Sequence, residues 1–163
     1  MRVTASIDVS APPEAVWAFV DDPTRYLEFM RGVTRWEVVG EQRSGCGTRV
    51  RTLLQVGSAE VGGLVEVVEH VPCSELSWVS ITGADQRGRW RLRTRRPGRT
   101  TVELRLAYGV AGSGLLGAIA ERLAAPQIRG HLRRSLQQLK RQVESEQLRA
   151  TAAQRRAARQ RVA

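Results

Sequence analysis

The chain of 163 residues is long enough for one domain with a substantial core, and 42% of its residues are hydrophobic. No apolar run approaches the roughly 20 residues that a membrane-spanning helix needs, and the N-terminus alternates like a strand instead of forming a signal sequence. The formal net charge of +10 would usually indicate nucleic acid or an anionic membrane as partner. However, Lys140 is the only lysine, which is typical of a compositional bias toward arginine.

The N-terminal 30 residues predict a strand followed by two short helices. Apolar and polar residues alternate from residue 3 to residue 9, which indicates a half-buried strand. Pro12 and Pro13 then begin a helix, because proline is tolerated in a first turn where its missing N–H has no helical partner. Asp22 caps a second short helix that starts at Pro23.

Between Val33 and Val110 the apolar residues recur with a period of two, which predicts six further strands. Short turns separate them at residues 44–47, 57–58, 72–74, 83–85 and 96–99. Strands joined by such short turns pair as antiparallel neighbours. The adjacent glycines Gly62 and Gly63 predict a bulge or a sharp bend in the third of these strands.

The last apolar-periodic segment, from Gly114 to about Leu148, predicts a long helix with two apolar stripes. One stripe contains Leu115, Ile119 and Leu123, and the other, almost opposite, contains Ile128, Leu132, Leu136, Leu139 and Val143. Pro126 lies between the stripes, so we expect a break or kink near Ala124–Gln127. Residues 149–163 are rich in arginine and alanine and have few large apolar residues, so we expect a frayed or disordered tail after a single domain of residues 1–148.

The order of elements therefore predicts an α+β protein in which a curved antiparallel sheet of about seven strands wraps around a long C-terminal helix. The chain resembles the START / birch-allergen-like (SRPBCC) superfamily over residues 1–146, especially its bacterial polyketide cyclase/dehydrase and CoxG-like members. The features that carry the resemblance are Pro12-Pro13 before a helix with Val16-Trp17, Asp22-Pro23 followed by Phe29, Glu69-His70-Val71-Pro72, Gly88-Arg89-Trp90, and Leu136-Gln137-Gln138-Leu139-Lys140. This resemblance implies the helix-grip fold and a deep apolar pocket for a lipid, polyketide, sterol or similar molecule.

The inward-facing residues of the sheet and the helix are the candidate ligand-binding residues. On sequence alone they would form an ordinary packed core, and the resemblance favours a partly open cavity in which Ser80, Thr82 and Tyr108 supply hydroxyl groups. The proposed lining is Phe29, Trp36, Leu54, Val56, Trp78, Trp90, Leu106, Tyr108, Leu115, Ile119 and Leu123.

The sequence offers few candidates for catalysis. His70 and Tyr108 are the candidate catalytic residues, and Glu60, Glu66 and Glu69 would act as general acids only if buried. We expect no metal and no cofactor, since the two histidines and two cysteines lack metal-ligand spacing. The GxGxxG match at 112–117 is interpreted as a junction between strand and helix, because no βαβ unit surrounds it.

The leading hypothesis is a cytoplasmic protein that binds a hydrophobic small molecule, with Cys46 and Cys73 as reduced thiols. The first alternative is a polyketide cyclase or dehydratase that uses the same cavity. The second is a basic module that docks on an anionic membrane or nucleic acid through the C-terminal helix, where ten basic residues after position 128 outnumber two glutamates. Weak membrane contact fits this surface better than nucleic acid, because no exposed aromatic residues accompany the arginines. The oligomeric state is left open.

Overall fold

A computed structural model describes residues 2–109 and 114–162 of the chain, with side chains for residues 2–109 and 125–160. These residues form seven strands, three α-helices and one 3₁₀ turn. The strands are β1 (Arg2–Val9), β2 (Val33–Val39), β3 (Arg49–Val56), β4 (Ala59–Val71), β5 (Glu75–Gly83), β6 (Asp85–Arg96) and β7 (Arg99–Gly109). The helices are α1 (Pro13–Val20), α2 (Tyr26–Phe29) and α3 (Gly114–Val162), and the 3₁₀ turn is Pro23–Arg25.

The strands form one curved antiparallel sheet in the order β1-β7-β6-β5-β4-β3-β2, with α3 on its concave face. This arrangement confirms the predicted helix-grip fold. The alternating sequence pattern sets the two faces: Trp90, Leu92 and Leu104 are buried, whereas Arg91 and Arg93 point outward. Trp90 pairs directly with Leu104 across β6 and β7, so large apolar side chains meet on the inner face.

The two short helices begin as the sequence predicts. α1 has proline in its first turn, and the Asp22 carboxylate accepts a hydrogen bond from the Thr24 backbone N–H at 2.9 Å. Tyr26 in α2 is buried and donates a hydrogen bond from its hydroxyl to the Val20 carbonyl at 2.7 Å. Burial raises the pKa of this phenol, which therefore stays protonated and fixes α2 against the end of α1.

The predicted break near Ala124–Gln127 is wrong, since α3 is helical from Gly114 to Val162 without interruption at Pro126. Pro126 itself is exposed on α3. The neighbouring Gln127 accepts a hydrogen bond from the Gly57 backbone N–H at 2.9 Å, and Ile128 is buried in the core. These two contacts hold the helix next to its weakest point. Whether α3 also bends there stays a prediction.

Four further contacts attach the C-terminal part of α3 to the rest of the chain. Lys140 Nζ donates to the Asp8 carbonyl at 2.6 Å, and Glu144 accepts from the Ser10 backbone N–H at 2.7 Å. The Ser135 hydroxyl accepts from the Arg31 backbone N–H at 2.8 Å, and Glu146 pairs with Arg25 at 2.5 Å. Beyond Leu148 the helix continues, and its side chains from 152 to 160 are exposed. The domain boundary at residue 148 stays a prediction.

The sheet bends near the predicted glycine pair. The pairing of β4 with β5 shifts register between Leu64 and Val65, directly after Gly63. A Cβ atom on Gly63 would lie 2.0 Å from the Thr82 carbonyl oxygen, so the two backbones approach more closely than any side chain would permit. The glycine therefore permits the irregularity that the sequence placed there.

Candidate functional site

The concave face of the sheet divides into two regions, and the first is tightly packed. This closed region consists of Phe29, Trp90, Leu104, Leu136 and Leu139, all of which are less than 2% exposed. The Phe29 and Trp90 rings meet edge to face at 6.1 Å, and the last two residues come from the C-terminal part of α3. These side chains belong to the buried hydrophobic core, and close-packed cores have no room for a large ligand.

The second region lies at the end of the sheet where β3, β5 and β7 finish. The strand order makes β3, β5 and β7 point in one direction, so their C-terminal residues share one end of the sheet. Four inward-facing apolar side chains at this end are only half buried. We call them the open region: Leu54 and Val56 on β3, and Leu106 and Tyr108 on β7.

The start of α3 also belongs to this end of the molecule. β7 ends at Gly109, and Gln127 contacts Gly57 just beyond the end of β3. Gly109 and Gln127, the described residues on either side of the intervening segment, therefore both lie at the end of the sheet that carries the open region. Leu115, Ile119 and Leu123, the predicted helical part of the lining, lie in this segment and outside the described side chains, as do residues 112 and 113 of the GxGxxG match.

Polar groups border the open region. The Gln86 backbone N–H donates to the Ser80 hydroxyl at 3.2 Å, and Gln86 itself pairs with Tyr108 across β6 and β7. Ser80 is half buried and Thr82 is exposed. Apolar walls with a few hydroxyl groups at the rim suit a largely apolar molecule that carries one or two polar groups.

The remaining predicted lining residues occupy other positions. Phe29 and Trp90 belong to the closed region. Trp78 is buried, and its indole lies over Gly88, where a Cβ atom would come within 1.9 Å of Trp78 Cζ2. Trp36 is half buried and stacks on Tyr26 with the ring centroids 4.2 Å apart. Contact of these four residues with a ligand stays a prediction.

A small cavity lies at the opposite end of the sheet and contains the histidine that the sequence singled out. Its volume is about 30 Å³, and its walls include Asp21, Tyr26, Trp36, Thr48, His70 and Trp78. A cavity needs a volume of roughly 10–15 Å³ to hold one water molecule. This cavity therefore holds about two waters and is too small for a polyketide.

His70 in this cavity forms a close pair with Asp21. Its Nε2 atom lies 2.5 Å from Asp21 Oδ1, and its ring meets Trp17 edge to face at 5.4 Å. Asp21 was not predicted as a site residue, because it is 49 positions away and its place at the end of α1 only becomes relevant in three dimensions. A carboxylate that orients an imidazole is the usual support for a general base.

The structure does not bring the two candidate catalytic residues together. His70 on β4 pairs with Leu76 on β5, which pairs with Trp90 on β6. Tyr108 on β7 pairs with Gln86, which also lies on β6. Four residues of β6 separate these positions, or about 13 Å along the strand. A single substrate atom therefore cannot contact both groups.

The other candidates lie on the surface or in structural contacts. Glu60 and Glu69 are exposed and bond to Thr34 and Ser77, and Glu66 pairs with Arg49 at 2.9 Å. None of these three glutamates lies in the core. In the described part of the chain, no group of three or more histidine, cysteine or acidic residues comes together as metal ligands would.

The two cysteines do not form a disulfide bond. Both are free thiols, Cys46 exposed and Cys73 half buried. Burial, together with the charges of Glu14 and Asp21, raises the pKa of the Cys73 thiol, which keeps it protonated.

Of the helices within residues 2–109 and 114–162, none is both long and apolar enough to cross a bilayer.

Comparisons with known proteins agree on the fold. The sequence profile described as "Polyketide cyclase / dehydrase and lipid transport" matches residues 1–144. The TTHA0849 protein from Thermus thermophilus has a TM-score of 0.76 at 23% identity, over 90% of this chain and 99% of that one. Zhui aromatase/cyclase from Streptomyces sp. R1128 has a TM-score of 0.73 at 19% identity, over 88% and 93%.

A START superfamily protein from Mycobacterium smegmatis is also similar, with a TM-score of 0.67 at 15% identity over 87% of this chain and 98% of that one. A comparison with curated protein sequences finds no significant match. Since all three structural identities are below 25%, these likenesses establish the shared fold and carry no residue-level assignment.

Proposed function

The chain belongs to the polyketide cyclase / dehydrase and lipid transport family, and from that premise we propose that its open region binds a hydrophobic small molecule. The resemblance to the START-like superfamily is thereby confirmed, and the fold is one that binds hydrophobic ligands. The observation that carries the proposal is the contrast in burial between Leu54, Val56, Leu106 and Tyr108 on one side and the fully buried closed region on the other.

The half-buried state of these side chains has an energetic consequence. A fully buried leucine side chain gains roughly 1.5–3 kcal/mol from removal of its apolar surface from water, and the open region forgoes part of that gain. A ligand that covers Leu54, Val56 and Leu106 would recover it. The incomplete packing therefore supplies the driving force for binding an apolar group, and the polar rim at Ser80 and Gln86 would orient one polar end.

Binding of N-phenyl-1-naphthylamine, a neutral apolar fluorophore, tests this proposal. The wild-type protein should bind the probe saturably, and Leu106→Lys should weaken binding at least tenfold because it places a charge on the apolar wall. Ile81→Lys is the matched control, since Ile81 is an exposed apolar residue on β5, a strand adjacent to neither β3 nor β7. Equal effects of the two substitutions, or the absence of saturable binding, would contradict the proposal.

A second candidate function is acid–base catalysis on a polyketide-like chain, and the His70–Asp21 pair is the observation that favours it. The small size of the cavity beside His70 means that only the reacting end of a substrate would enter. Conversion of a synthetic poly-β-keto thioester, measured above its spontaneous cyclisation, provides the test. His70→Gln should abolish the excess rate and His131→Gln should retain it, because His131 lies on α3 and does not line this cavity.

A further inference from the structure

Four arginines occupy neighbouring positions on the outer face of the sheet, which faces away from α3. Arg2 lies on β1, Arg105 on β7, and Arg87 and Arg89 on β6. Arg2 and Arg87 both pair with Ala107, one from each side, and Arg105 pairs directly with Arg89. We call these four residues the arginine cluster.

The register brings the guanidinium groups within reach of one another. Neighbouring strands lie about 4.8 Å apart, so the backbones of Arg2 and Arg87 are separated by roughly 10 Å across β7. Only the methyl group of Ala107 stands between them on this face. Two side chains of this length can therefore contact the same bound group from opposite sides.

The charges in the cluster are only partly neutralised. Arg89 lies 3.4 Å from Glu75 and 3.6 Å from Glu103, and Arg105 lies 3.8 Å from Glu103. The Nε atoms of Arg89 and Arg105 are buried and have no hydrogen-bond partner among the described residues. Arg2 and Arg87 form no ion pair within that same part of the chain. By contrast, Arg91 in the next row binds Glu75 at 2.9 Å.

Such an arrangement costs stability in the absence of a ligand. Like charges directly opposite each other on neighbouring strands repel, as Arg89 and Arg105 do. Four arginines and the two glutamates that contact Arg89 and Arg105, Glu75 and Glu103, leave a net charge of +2. An anion bound among them would offset both the repulsion and the unused hydrogen-bonding capacity.

The surface at the cluster is concave. Two adjoining depressions of about 240 and 480 Å³ share Arg2, Arg87 and Ala107 in their walls. The smaller depression is also lined by Arg89 and Arg105 and, on β5, by Ser77, Trp78 and Val79, whereas the larger is completed by Asp85, Tyr108 and Gly109. The cluster is therefore a groove of a size that admits a small molecule.

We propose that the arginine cluster binds a phosphate group carried by a small soluble molecule. Guanidinium groups form paired, charge-assisted hydrogen bonds with phosphate oxygens, and a phosphate with two or more negative charges matches the positive charge of the cluster better than a single carboxylate does. The four arginines lie on the face of the sheet opposite Leu54, Val56 and Leu106. The larger depression also reaches Tyr108 of the open region, so the two sites meet at that residue.

Calorimetric titration with inorganic pyrophosphate tests the proposal. The wild-type protein should bind one equivalent, and Arg87→Gln should weaken binding about tenfold through loss of a charge-assisted contact. Arg2→Gln combined with Arg87→Gln should remove measurable binding. Arg93→Gln is the matched control, because Arg93 is exposed on the same face of β6, pairs with Thr101 and lies outside the groove. It should stay within twofold of the wild type.

Three results would overturn the proposal. The first is a titration without saturation, and the second is an equal loss in Arg87→Gln and Arg93→Gln, which would indicate attraction to net charge alone. Vesicles that contain phosphatidic acid supply the third, since they test whether the phosphate belongs to a lipid headgroup. Variants of the arginine cluster should bind these vesicles as the wild type does. If the variants lose vesicle binding and the wild type does not bind pyrophosphate, the groove contacts a membrane instead.

Discussion

The closed and open regions share one sheet and one helix, yet they differ in how completely their side chains are buried. Phe29, Trp90 and Leu104 are at most 1% exposed, and α3 is held above them by hydrogen bonds to β1 and to the loop before β2. Leu54 and Leu106 lie near strand ends and are only half buried. The difference teaches that the fold is stabilised mainly at one end of its concave face, which leaves the other end able to change its contacts.

Removal of a large side chain from each region gives the strongest test of this contrast. Trp90→Ala should lower the free energy of unfolding by about 3–5 kcal/mol, because it leaves a cavity against Phe29. Leu106→Ala should cost only about 1 kcal/mol, since that side chain is only half buried. Urea denaturation measures both values, and a larger loss for Leu106→Ala would break the division into two regions.

The contact between Gly88 and Trp78 should give the next largest effect. Gly88→Ala should lower the free energy of unfolding by about 1–3 kcal/mol, because the new methyl group would displace the Trp78 indole that packs over Gly88. The double variant with Trp78→Leu should lose less stability than the sum of the two single variants. If the losses of stability in the two single variants simply add up in the double variant, the position of the Trp78 indole does not depend on the absence of a side chain at residue 88.

Acid should weaken the attachment of α3 beside the closed region. Burial raises the pKa of Glu144, but the hydrogen bonds from Lys140 and the Ser10 backbone outweigh it and hold the pKa below its usual value of 4.5. The stabilisation is therefore complete above pH 4.5 and is lost as the pH falls through the lowered folded-state pKa.

Thermal unfolding between about pH 3 and pH 7 follows this loss. Glu144→Gln should be less stable than the wild type near neutral pH and should approach it in acid. Glu41→Gln, an exposed residue in the loop after β2, should follow the wild-type curve throughout. A Glu144→Gln curve parallel to the wild-type curve would contradict the assignment.

Truncation after Leu148 should have the smallest effect on the fold. The side chains from 152 to 160 are exposed, so their removal should change the free energy of unfolding by less than about 0.5 kcal/mol. Binding to phosphatidylglycerol vesicles at low salt should fall if the basic segment contacts membranes, because five of its arginines are lost. An unfolding midpoint that drops by several degrees would instead make this segment part of the folded core.

The sequence predicted the architecture because each element has its own local signal. The alternation of Trp90 and Leu92 with arginines identified β6 and its buried face, and Asp22 with Pro23 identified the short helical segment. The predicted break at Pro126 is wrong because the proline rule is local, whereas the contacts of Gln127 and Ile128 with distant residues hold α3 in place. The His70–Asp21 pair and the arginine cluster depend on strand register and on distant residues, for which a single sequence carries no local pattern.

Methyl NMR during titration with N-phenyl-1-naphthylamine tests the central claim most directly, since one spectrum reports both regions. We expect saturable shifts and probe contacts at the methyl groups of Leu54, Val56 and Leu106, with Leu104, Leu136 and Leu139 unchanged. Shifts centred on the closed region, or probe contacts confined to the outer face, would contradict it.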